Sequence, residues 1–392
     1  MLKSLKIDFL LTEKCNVNCL YCFDQNKNNI SYLDPDKYAF VFNELNNFID
    51  SQKELQIIYI TLFGGEITIN SEYLYLFLKE LYKFINHLKI NSQIIITTNG
   101  ILYSKYIEDF IIKTKTLNNN KTFLAISVGL SENDHNITRF NNYEIVKNNI
   151  IKYYKNTNQR IIKKSVLSPY ILIHYEEFEE GFNDLKQYTI LNWFFIDDGK
   201  DVNIKDFNYF CKKFFKFYIN TLKNSDFISF GSDRFILEIK RLFKEKRNIT
   251  TNYNYTNSNN LTVCISPNGT FHSSHLSYFY RLDIYNSIDE LYKNKNNLIS
   301  NINKPCFTCM HRLSCFGLHI ENSIYLDQSI TVDDSICDLN KLINYYVYKL
   351  FKYIYINRNK LKKYKAFELY NNYFFEEYNL TLTEILKEIY DD

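Results

Sequence analysis

The sequence predicts an α/β protein: a partial (β/α)6 barrel over the first half of the chain, then a small cysteine-rich domain and a helical C-terminal tail. Three observations predict it. Between residue 6 and about residue 196, short apolar runs alternate six times with longer segments of helical periodicity, the pattern of repeated βα units. The residues with chemical character follow the predicted strands, where barrels of this kind carry their chemistry. A second run of cysteines lies beyond a polar, low-complexity stretch at 248–260 that reads as a linker. The expected divisions are 1–200 for the barrel, 201–260 for a helical linker region, 261–340 for the cysteine-rich domain and 341–392 for the tail.

Strands are expected at 7–11, 57–62, 94–98, 123–128, 170–174 and 191–196, and helices at 36–49, 71–88, 103–114, 143–154 and 176–188. The first strand leads into Cys15-Asn-Val-Asn-Cys19-Leu-Tyr21-Cys22, three thiols in eight residues. Thiolate is the ligand that iron–sulfur clusters take, and three ligands leave one iron of a [4Fe–4S] cubane open. A zinc loop would want a fourth ligand nearby, and histidine is absent from this neighbourhood. A disulfide cluster fits poorly with nine cysteines spread over 392 residues and no secretory segment, so a reducing cytoplasm is expected.

The second strand ends in Phe63-Gly64-Gly65-Glu66, where two of only nine glycines let backbone come close to a neighbour. The third ends in Thr97-Thr98-Asn99-Gly100. The fourth ends in Ser127-Val128-Gly129-Leu130-Ser131-Glu132, with His135 and Arg139 following. Residues 202–247 read as two helices carrying Phe207, Phe210, Phe214 and Phe217 at helical spacing, with Cys211 as a core thiol. Beyond the linker, 262–265 and 270–272 flank the turn Ser266-Pro267-Asn268-Gly269. Residues 284–292 read as a strand end and a short helix. Cys306-x2-Cys309-x5-Cys315 follows, with Cys337 later. Four thiolates close a [4Fe–4S] site completely, and on spacing alone tetrahedral zinc is equally open. The tail is helix-like, with an apolar run at 342–354, a lysine-rich break and a capping box at Thr381-x-x-Glu384.

Composition excludes more than it assigns. Tyr 34, Phe 32 and three alanines look like the imprint of an AT-rich genome, so aromatic richness carries little weight. A net charge of +3 calls for no nucleic acid, and no apolar run approaches the roughly 18 residues of a membrane span.

The cysteine loop, including Tyr21 before its last cysteine, resembles that of radical S-adenosylmethionine (SAM) enzymes, and the strand-end motifs resemble theirs too. The resemblance implies that Cys15, Cys19 and Cys22 hold a SAM-binding [4Fe–4S] cluster. It implies that Tyr21, Gly64, Gly65, Glu66, Ser127 and Arg139 bind SAM: the Gly-Gly-Glu segment at the methionyl amino group, Ser127 at the ribose and Arg139 at the carboxylate. Ile67 replaces the usual proline, and Gly129 stands at the family's Asp position. Turn, strand and cysteine run after the linker resemble a SPASM domain, with Cys306, Cys309, Cys315 and Cys337 implied as ligands of one auxiliary [4Fe–4S] cluster. The inner auxiliary cluster is expected to be lost, since Ser274 and His319 occupy its ligand positions; whether Cys264, His275 or His319 ligates anything stays open.

The implied activity is reductive cleavage of SAM to a 5′-deoxyadenosyl radical that abstracts hydrogen from a substrate, most readily a peptide or protein. A small metabolite or tetrapyrrole, or a non-catalytic iron–sulfur scaffold, are the alternatives. An electron donor such as a flavodoxin or ferredoxin is the implied partner. Cys15 lies too near the start for a leader-binding domain before it, so peptide recognition is expected at the barrel mouth, the tail or a separate protein.

Overall fold

The computed structural model describes residues 2–22, 32–195, 203–223, 260–279, 283–294, 334–364, 368 and 379–390. The strands are β1 (Ser4–Leu10), β2 (Ile57–Phe63), β3 (Asn91–Thr98), β4 (Asn120–Ser127), β5 (Ile161–Leu167), β6 (Thr189–Phe195), β7 (Asn260–Ile265) and β8 (Phe271–His272). The helices are α1 (Pro35–Ser51), α2 (Ser71–His87), α3 (Lys105–Thr114), α4 (Glu132–Arg139), α5 (Tyr143–Thr157), α6 (Pro169–Ile173), α7 (Tyr175–Leu185), α8 (Ile204–Lys223), α9 (His275–Phe279), α10 (Ile288–Asn294), α11 (Asp334–Ile356), α12 (Arg358–Leu361) and α13 (Leu382–Tyr390). The strands form one sheet in the order β6-β5-β4-β3-β2-β1-β7-β8, and each neighbouring pair from β1 to β5 is parallel, as βα repeats require.

The chain divides into two compact units. The first comprises Met1–Lys164, Gln187–Thr189 and Asn254–Ile302. Its core lies between one face of the sheet and the helices: Phe9 of β1 meets Phe42 of α1 and Phe77 of α2, with ring centroids 5.8 and 5.0 Å away. On that face Ile58, Ile60 and Leu62 are buried, whereas Tyr59, Thr61 and Phe63 alternate onto the open face. Helix starts follow capping chemistry. The side chains of Asp34, Asn70, Ser104 and Ser131 each accept from a backbone N–H in the first turn of α1, α2, α3 and α4.

The second unit comprises Ser165–Lys186, Ile190–Tyr253 and Asn303–Asp392. Its α6 and α11 pack on α8, and α13 packs on α11. Phe178 of α7 sits among Phe210, Phe214 and Phe217 of α8 at 5.3–5.6 Å between centroids, the helical stripe expected from the sequence. Cys211 is buried on the same helix, and burial pushes its thiol well above the ordinary range. The capping box closes as read: Glu384 N–H donates to the Thr381 hydroxyl and Thr381 N–H to the Glu384 carboxylate.

Three elements differ from expectation; one is α4, a helix at Glu132–Arg139 where none was expected. The fifth strand is Ile161–Leu167, and the apolar run at 170–174 is the short helix α6 instead. Ser168 caps that helix and Pro169 starts it, which commits the following residues to a helical turn. Lys163 and Lys164 hide the strand, because they make it read as polar. The hairpin of β7 and β8 forms around the expected turn, with Gly269 at φ 76°. However, β7 also runs parallel beside β1, Ser4 opposite Asn260, so the hairpin extends the sheet within the first unit. The second helix expected within 202–247, most of the linker, and Cys306, Cys309, Cys315 and His319 lie outside the described residues.

Candidate functional site

The cysteine loop leaves β1 at its C-terminal end and is fixed by backbone on two sides. Gly65 N–H donates to Thr12 O at 2.7 Å and Glu66 N–H to Lys14 O at 2.7 Å, which places the Gly-Gly-Glu segment directly beneath the residue before Cys15. A Cβ on Gly64 would stand 2.4 Å from Thr12 O, and one on Gly65 2.2 Å from Lys14 O. The glycines are therefore required here by the close approach of the loop's own backbone. Farther along, Leu20 N–H donates to Thr138 O of α4 at 3.1 Å.

Glu66 is buried, and its carboxylate is engaged by the ends of two strands. One oxygen accepts from Thr68 N–H, the Thr68 hydroxyl and the Thr98 hydroxyl at 3.0, 2.6 and 2.7 Å; the other accepts from Asn99 N–H at 2.6 Å. Asn99 in turn donates from its amide to Asn16 Oδ1 at 2.7 Å, inside the cysteine loop. Tyr32 closes the same corner, donating to Glu66 O at 3.2 Å and accepting from Asn70 N–H. The Thr-Thr-Asn-Gly motif thus positions both Glu66 and the loop, a role its reading as a strand end followed by a turn does not show.

Arg139 is buried at the end of α4, donates from Nε to the Tyr21 hydroxyl, and lies 5.5 Å from the Tyr21 ring centroid. Burial works against its charge, but Tyr21 and the neighbouring Cys19 and Cys15 outweigh it and raise its pKa. Burial likewise raises the Tyr21 phenol, with Arg139 partly offsetting the rise. The C-terminal end of α4 is therefore joined to the cysteine loop by a backbone bond and by a cation over an aromatic ring.

The start of α4 is held by His135. Its Nδ1 accepts from Gly129 N–H at 3.1 Å and its Nε2 faces Asn142 Oδ1 at 2.6 Å, which requires a neutral ring protonated at Nε2. Burial lowers its pKa to about 4. A Cβ at Gly129 would come within 2.4 Å of His135 N. The absence of an aspartate at this position follows from the closeness of α4, whose backbone fills the space. Ser127 ends β4 on the open face, half-buried, in register with Lys164.

Cys15, Cys19 and Cys22 are half-exposed and none is disulfide-bonded. Among the described residues no three of His, Cys, Asp and Glu converge closely enough to hold a metal ion as they stand. The donor set nevertheless fits a [4Fe–4S] cluster in number and chemistry, on a loop anchored at both ends. Cys264 is fully buried on β7 beside Asp8, where burial first and Asp8 second push its thiol well up, a poor thiolate donor. Ser274 is buried and bonded to Ser277 at 3.2 Å. Cys337 falls within α11, and nothing of its side chain or that of His275 is described.

Residues 7–150 match the family described as a 4Fe-4S single cluster domain. No curated protein sequence matches the chain. Among solved structures, the chain is similar to hexahistidine-tagged anSMEcpe with bound AdoMet: 17% identity, TM-score 0.67, 89% of this chain and 98% of that one. Native anSMEcpe with bound AdoMet and Cp18Cys peptide matches at 17% identity and TM-score 0.65 over 89% and 98%. SuiB of Streptococcus suis bound to precursor peptide SuiA matches at 13% identity and TM-score 0.59 over 85% and 76%. Likeness at this identity carries the fold alone: the chain shares the mostly parallel α/β architecture of anSMEcpe, and its residues 7–150 are similar to the 4Fe-4S single cluster domain.

Proposed function

We propose that this chain is a radical SAM enzyme that modifies a peptide, with Cys15, Cys19 and Cys22 as ligands of a SAM-binding [4Fe–4S] cluster. The observation that carries this reading is the clamping of the cysteine loop between the Gly-Gly-Glu strand end and the Tyr21–Arg139 contact of α4. When bound, a cluster with one open iron supplies the electron that breaks a carbon–sulfur bond of SAM and gives a 5′-deoxyadenosyl radical.

The chain's own residues bind and orient. Gly65 and Glu66 fix the backbone before Cys15, Asn99 fixes Asn16, and α4 sets Tyr21. Arg139 offers a guanidinium beside the loop for the methionyl carboxylate. Ser127 stands at the open strand end for the ribose. Glu66, fully occupied by four donors, acts on the ligand through the backbone it positions. Cys306, Cys309, Cys315 and Cys337 complete a single auxiliary cluster in a SPASM-like segment at 261–340. A peptide substrate is supported by two of the matching structures, which hold peptides. A flavodoxin or ferredoxin is the proposed electron source, in the cytoplasm. Among the described residues no helix is long and apolar enough to cross a membrane.

The test is anaerobic reconstitution followed by dithionite and SAM. Formation of 5′-deoxyadenosine by the wild type and its loss in Cys19→Ala supports the reading; no product from either protein refutes it.

A further inference from the structure

One charged group on the open face of the sheet takes no part in the roles assigned to SAM. In β5, Ile161, Lys163, Ser165 and Leu167 are buried on one face, and Ile162, Lys164 and Val166 are half-buried on the other. The Lys164 ammonium donates to the Thr97 hydroxyl at 3.1 Å, which puts it on the side of Thr97, at the C-terminal ends of the strands. The same face holds Asp8 of β1, but Asp8 is already paired with Lys6 at 2.9 Å. Thr97 is neutral, and among the described residues no carboxylate lies within ion-pair distance of Lys164. Among the described residues, the pairing of Asp8 with Lys6 leaves the Lys164 ammonium without a carboxylate partner beside Ser127, whose backbone is in register with Lys164. A half-buried ammonium bonded to a hydroxyl is under-compensated, and an incoming anion would restore the balance.

We propose that Lys164 is a specificity residue of the substrate site and binds a carboxylate, so that the substrate peptide presents an acidic side chain next to Ser127. This rests on reading the strand ends as the substrate mouth. Burial lowers the Lys164 pKa to about 8; Asp8 opposes the drop and Lys6 adds to it. A bound carboxylate pulls it back up.

Competitive acetylation reads this directly. Reconstituted protein with SAM, without reductant, is treated with trace acetic anhydride at pH 8, and acetylation of each lysine is followed by peptide mass spectrometry. The probes are N-acetylglutamate and N-acetylglutamine, both blocked as α-methylamides and in excess. The glutamate probe is expected to slow labelling of Lys164 about fivefold, the fall in neutral amine when its pKa moves about one unit up from about 8. The glutamine probe should leave it unchanged, and neither should alter the exposed Lys83 or Lys341. Thr97→Val, which keeps the lysine, should retain the protection, and Lys164→Met should no longer retain the glutamate probe in equilibrium dialysis. Equal protection by both probes, or by neither, overturns the proposal. Because no reductant is present, failure of SAM cleavage leaves this result standing, and failure of protection leaves the radical chemistry standing.

Discussion

At Gly65 a single hydrogen atom decides whether the cysteine loop can sit where it does. A methyl group there would meet two backbone oxygens, Lys14 O at 2.2 Å and Glu13 O at 2.5 Å, neither of which can rotate away. Gly65→Ala should cost about 2 kcal/mol of stability, the scale of forced overpacking, and should lower iron uptake on reconstitution. Denaturant unfolding and iron per chain measure the two effects. His135 makes a pH-dependent prediction. Its pKa falls from the ordinary 6.5 to about 4 in the folded chain. Above pH 7 the ring is neutral folded or unfolded, so it contributes no pH dependence. As pH drops from 6.5 toward 4, the unfolded chain takes up a proton that the folded chain refuses, and stability falls by up to about 3 kcal/mol. Urea unfolding at pH 7 and pH 4.5 should show this loss in the wild type and lose this part of it in His135→Gln.

At the scale of elements, α4 carries the most weight for its eight residues. It is tied to β4 through His135 and Gly129, and to the cysteine loop through Thr138 and Arg139. Gly129→Asp, although it restores the residue common in the resembled family, should destabilise the protein by about 2 kcal/mol and shift α4, because the new side chain collides with His135 backbone. Circular dichroism melts would register the lost stability, and a change in near-ultraviolet tyrosine signal would register the shift. This helix was not legible in the sequence. Glu132-Asn-Asp-His-Asn-Ile-Thr-Arg has no apolar stripe, and its stability comes from the Ser131 cap and from tertiary bonds. The first four strands, by contrast, were legible, because short runs rich in β-branched and aromatic residues, such as Ile57-Ile58-Tyr59-Ile60, favour a buried strand. The fifth was not, since a buried lysine in a strand defeats any pattern based on polarity. At the site, the cysteines and glycines were legible as motifs. The bonds of Glu66 to Thr98 and Asn99 were not, because they join residues 32 and 33 positions apart.

For the whole molecule, the metal inventory is the sharpest prediction. Two four-iron clusters require about eight irons per chain, and Cys306→Ala with Cys309→Ala should reduce this to about four. Four irons and one zinc in the wild type would show that the second cysteine set is a zinc site. The parallel pairing of β1 with β7 joins the first strand of the chain to one that begins at Asn260. On a ribosome, β1 and the loop that follows it are made well before β7, so one side of β1 keeps its amide and carbonyl row bare while the long segment between Leu10 and Asn260 emerges. Closure over so long an intervening segment is slow. Maturation of the cysteine loop therefore has a long window before the sheet is finished, and a newborn chain halted short of residue 265 would expose a sticky edge beside reactive thiols.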